Sequence, residues 1–86
     1  MPELSRFYGI VIKMYFDDHD PPHFHAEYAE DGAVISIETL AVVAGRLPPR
    51  ALGLVTEWAM LHQDELRQAW KKAKDLEAVN KIAPLP

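Results

Sequence analysis

Three imidazoles and several carboxylates fall within eleven residues of this chain, in the run Asp17–Glu27, DDHDPPHFHAE. His23 and His25 are two apart in a segment, HFHAEY, whose apolar and polar residues alternate. On a strand that spacing points both rings the same way, with Cα atoms roughly 6–7 Å apart. Glu27 continues the row, and His19 sits upstream beside Asp17, Asp18 and Asp20 in a turn that can fold back. Such donors suit a divalent metal, zinc or manganese, held by His19, His23, His25 and Glu27. The chain lacks a His-Glu-x-x-His pattern, so the spacing does not select a metal. A metal-free route uses His23 and His25 as general base and general acid. RNA cleavage fits that pairing, with Arg6, Lys13 or Arg46 balancing phosphate charge, although the acidic neighbours repel a polyanion. The plainest reading is structural: Pro-Pro-His-Phe-His as a rigid start to a strand, with His23 bonded to the Asp-rich turn and carboxylate–histidine bonds holding the hairpin closed.

The elements that must position these residues follow from periodicity. Residues 6–16, RFYGIVIKMYF, predict one long strand with Tyr8, Ile10, Ile12, Met14 and Phe16 toward the core and Phe7, Gly9, Val11, Lys13 and Tyr15 away from it. The prolines and aspartates of 17–22 end it. The second strand, about 23–29, turns Phe24, Ala26 and Tyr28 inward and His23, His25 and Glu27 outward. Asp31-Gly32 predicts the next turn. Residues 33–38 predict a strand with Ala33, Ile35 and Ile37 inward, and 41–46 a short further strand. Pro48-Pro49 opens a helix over about 49–75, with an apolar stripe through Leu52, Val55, Trp58, Ala59, His62, Leu66, Ala69, Trp70 and Ala73. A break near Gln63-Asp64 is the alternative to one long helix. The expected fold is α+β: a three- to four-stranded antiparallel meander covered on one face by a long C-terminal helix, with residues 1–77 as one domain and 78–86 as a tail.

One helix cannot cover both faces of a sheet. The second face then offers Val11, Tyr15, His23, His25 and Glu27 to solvent, to the C-terminal tail, or to a partner, either a second copy of the chain or a small cognate protein. His62 reads as a core residue unless the helix lies over the histidine face. Trp58 and Trp70 read as core anchors.

Composition narrows the function classes. The chain has 86 residues, 49% hydrophobic and 26% charged, which suits one folded domain. It has no cysteine, which excludes thiol catalysis and favours a reducing, cytoplasmic setting. No signal peptide or membrane span is expected. A net charge of −4 argues against non-specific nucleic-acid binding. The basic residues Arg67, Lys71, Lys72 and Lys74 suit a solvated helix C-terminus, the alternative being a phosphate or partner contact. There is no glycine-rich phosphate loop, serine nucleophile motif or helix-turn-helix.

The stretches SRFYGIVIKMYFDDHDPPHFHAEY and GRLPPRALGLVTEWAMLHQDEL, with Trp70 beyond, resemble a bacterial family called domain of unknown function 4160. The likeness spans residues 4–71, and its signature falls on Asp18, His19, Pro21, Pro22, His23, Phe24, His25 and Ala26. The resemblance implies a short bacterial protein, often encoded beside a second small protein, with toxin–antitoxin-like pairing or a regulatory role suggested for some members. It implies no catalytic residues. The expected function is therefore an interaction module of such a gene pair, and the alternative is a small hydrolase or ribonuclease using His19, His23 and His25.

Overall fold

A computed structural model describes residues 3–16 and 19–86. Five strands form one antiparallel sheet in chain order: β1 (Glu3–Phe7), β2 (Ile10–Lys13), β3 (His23–Tyr28), β4 (Asp31–Ser36) and β5 (Val42–Gly45). Two helices follow, α1 (Pro49–Leu61) and α2 (Gln63–Lys74). The α+β class and the antiparallel meander are as expected. The strand count and the single helix are not.

The long first strand is a hairpin. Tyr8 and Gly9 form its two-residue turn with φ of 50° and 80°, and Phe7 pairs with Ile10. Positive φ at both central positions is the turn geometry that matches strand twist, and Gly9 adopts it without strain. The turn resets the alternation. Phe7 becomes buried, while Tyr8 and Phe16 are exposed; Ile10, Ile12 and Met14 are inward as expected. The unbroken run of β-formers through Tyr8-Gly9 hid the turn.

The β3–β4 turn is Ala29-Glu30 rather than Asp31-Gly32: Tyr28 pairs with Asp31, and Ala29 takes φ of 51°. The expected parity nevertheless holds, with Phe24, Ala26, Ala33, Ile35 and Ile37 all buried. Ser36 is also buried, although the alternation of residues 33–38 turns it outward. Its hydroxyl accepts the Thr39 N–H at 3.2 Å in the turn to β5.

The helix breaks at His62, whose φ of −124° lies outside the helical region. No proline or glycine marks the site. The Gln63 amide donates to the Ile37 and Glu38 carbonyls at 2.7 and 3.2 Å, tying the junction to the end of β4. α2 carries Asp64 and Glu65 in its first turn and Lys71, Lys72 and Lys74 in its last, as its dipole favours.

Trp58 is fully buried, with the Phe7 and Phe24 rings 5.5 and 6.0 Å away. Residues 78–86, the expected tail, carry no helix or strand and are packed down: Ile82 and Leu85 are buried. The Ile82 N–H donates to Leu4 O at 2.8 Å on the β1 edge, and the Trp58 indole donates to Ala83 O at 2.8 Å. Among the described residues, no helix is long and apolar enough to cross a membrane.

Candidate functional site on the open sheet face

Period-two alternation along β3 sends Phe24 and Ala26 under the helices and His23, His25 and Glu27 to the opposite face. Across the sheet, Lys13 and Val34 flank His25 in register, and Val11 flanks Glu27. All six residues are half-buried. The helices cover the core face, and at the His23 end α2 reaches this one through Trp70.

Four rings form a continuous row. Tyr15 and His25 meet edge-on with centroids 4.5 Å apart, His25 and His23 follow at 5.3 Å, and His23 and Trp70 at 5.1 Å. These are contact distances for aromatic pairs. The row starts on the open face and ends on α2. Trp70 is 7% exposed, the core anchor expected, and it also supports His23. Nothing in the spacing of the sequence joins it to the histidines.

The Nδ1 atom of His23 lies 2.8 Å from Pro21 O. A carbonyl only accepts, so Nδ1 is the donor in this bond. The bond also holds the Pro21-Pro22 segment against β3; its acceptor is a backbone carbonyl, where the sequence suggested a carboxylate of the Asp-rich turn. Because the two imidazoles touch, they would act on a group approached from the open side, not one clasped between them.

Among the described residues, two ion pairs flank the row. Lys13 Nζ is 3.0 Å from Glu27 Oε1, and Lys74 Nζ is 3.9 Å from Asp20 Oδ2. Of the cations considered for phosphate, Lys13 stands beside His25; Arg6 pairs with Glu3 at 2.8 Å and Arg46 lies 3.8 Å from Asp31. His19 is exposed. Among the described residues, no three histidine, aspartate or glutamate side chains stand close enough to hold a metal ion. Asp17 and Asp18 lie outside the described residues.

His62 does not join the row. Its ring packs on Trp58 at 5.5 Å, and its Nδ1 donates to Glu65 at 2.6 Å across the helix junction. The Arg6 hydrogen bond lowers the Glu3 carboxyl, and that bond likewise raises Arg6; the Glu38 hydrogen bond, with help from Asp64, raises Arg67.

Beside His25 the face dips into a shallow groove of about 130 Å³, lined by His25, Glu27, Gly32, Val34, Ala44 and Gly45. Gly45 has φ of 72°, and a Cβ there would collide with the Gly32 carbonyl oxygen. β5 can approach β4 this closely only with glycine at that position.

Fold and face together define a small α+β domain with one helix-covered and one open sheet face. The chain belongs to the family described as domain of unknown function (DUF4160), whose profile matches residues 9–71. No match exists among curated proteins or among solved structures.

Proposed function

We propose that the protein is an interaction module that docks a small cognate protein on the open face of its sheet. The supporting observation is that face itself, where Val11, Tyr15, His25 and Val34 stand half-buried and a shallow groove opens beside His25 and Val34 over Gly32 and Gly45. Tyrosine and histidine present an apolar body with a polar tip, a combination suited to interfaces. The toxin–antitoxin-like or regulatory pairing suggested for members of the family fits this reading, with the partner encoded beside the chain.

The test is co-purification with the product of the adjacent gene, alongside light scattering of the chain alone. A one-to-one complex is expected, weakened at least about tenfold by Tyr15→Ala or His25→Ala. Melting temperatures of the variants report whether the fold survives. A chain that stays monomeric at high concentration and ignores that partner would sink the proposal. A dimer of the chain alone, disrupted by the same substitutions, would assign the face to a second copy instead.

A second reading rests on the contact between His23 and His25. With the His23 ring fixed through Nδ1 on Pro21 O and the His25 ring 5.3 Å away, the pair has the elements of acid–base chemistry on RNA or another hydrolysable substrate. Cleavage of a labelled RNA panel by the wild type and not by His23→Ala or His25→Ala would support it. Intact substrate throughout would count against it for the panel used.

A further inference from the structure

At the far end of β3 from His23, a second pocket opens between the sheet and the first turn of α1. It encloses about 310 Å³ and is lined by Tyr8, Ile10, Tyr28, Arg50, Ala51 and Leu54. That volume lies at the lower end of the roughly 300–1,000 Å³ typical of small-molecule sites. Ile10 and Ala51 supply a buried apolar floor, and the tyrosines supply aromatic walls. The hairpin turn sets Tyr8 at the mouth, where its hydroxyl donates to Pro86 O at 2.6 Å. Gly9 leaves room for the second wall: a Cβ there would come within 3.3 Å of the Tyr28 ring.

Arg50 gives the pocket its charge. It makes no hydrogen bond or ion pair with any described residue, and the first turn of α1 carries no acidic side chain. A cation in the first turn of a helix is disfavoured by the dipole, so helix stability does not account for it. An apolar, aromatic-walled pocket with one uncompensated guanidinium complements an anion with a hydrophobic body.

We propose that this pocket binds a small aromatic carboxylate, its ring against Tyr8, Tyr28 and Leu54 and its carboxylate on Arg50. The site is independent of the open sheet face. Phenylacetate and its neutral analogue phenylacetamide distinguish charge recognition from simple apolar filling. In amide-resolved NMR titrations, phenylacetate is expected to shift the Tyr8, Ile10, Tyr28, Ala51 and Leu54 signals with millimolar affinity, in keeping with its size. Phenylacetamide should bind about tenfold more weakly, and Arg50→Gln should lose the preference while Arg50→Lys keeps part of it. Arg50 is exposed, so its variants should retain the wild-type spectrum. Shifts confined to other residues, no saturable shift, or equal affinity for acid and amide would each overturn the proposal.

Discussion

The imidazole of His23 packs on the indole of Trp70 with centroids 5.1 Å apart, which joins the start of β3 to the last turns of α2. Through this contact an element of the core supports the end of a row of rings that begins on the open face. A double-mutant cycle with Trp70→Leu and His23→Ala should show coupling of about 0.5–1.5 kcal/mol in urea unfolding. Strict additivity would mean that the two rings meet without supporting each other.

The C-terminal segment is a structural strap. Truncating Ile82, which is 5% exposed, to alanine should cost about 2–4 kcal/mol. Deleting residues 82–86 should cost more, because it also removes Leu85 and the acceptor for the Trp58 indole. Chemical denaturation measures both, with tryptophan fluorescence following the exposure of Trp58. A deletion as stable as the full chain would show the strap to be dispensable.

Gln63 ties the helix junction to the sheet through two carbonyls. Gln63→Ala should lower stability by about 1–2 kcal/mol and speed amide exchange in the first turn of α2. Unchanged exchange there would place the cause of the break in the helices themselves.

Ser5 is 4% exposed, and its hydroxyl has no hydrogen-bond partner among the described residues. Removing a buried, unsatisfied group relieves its desolvation cost. Ser5→Ala should therefore be neutral or stabilising by up to about 2 kcal/mol. A clear loss of stability on urea unfolding would reveal a bond made by that hydroxyl in solution.

The Glu3–Arg6 pair gives a small pH dependence of known sign. The Arg6 hydrogen bond lowers the folded-state pKa of Glu3 below its unfolded value. The stabilisation is therefore full above the ordinary carboxylate range and is lost as pH falls through the folded value. Both side chains face water, so the effect is small and screened by salt. Glu3→Gln should flatten the acid limb of melting temperature against pH slightly and leave the melting temperature above pH 7 a little lower. An unchanged acid limb would show that the pair does not persist in solution.

Much of the candidate site was legible in the residues alone. The alternation in HFHAEY is a local property of strand geometry, so it assigned Phe24 and Ala26 to the core and His25 and Glu27 to the opposite face without reference to the rest of the chain. The inward set of β4 followed in the same way, as did the dipole-matched charges of α2. Turn placement was less legible. Tyr8 and Ala29 adopt positive φ although neither is a usual residue for it, and the strand pairing on either side holds them there.

Tertiary structure decided the rest, because contacts between residues distant in sequence leave no periodic trace. The meeting of Trp70 with His23, the helix break held by Gln63 on the Ile37 and Glu38 carbonyls, and the strap under which Trp58 finds its acceptor all depend on where separate elements come to lie. Side-chain periodicity chose which face each residue takes; packing between elements chose what each face meets.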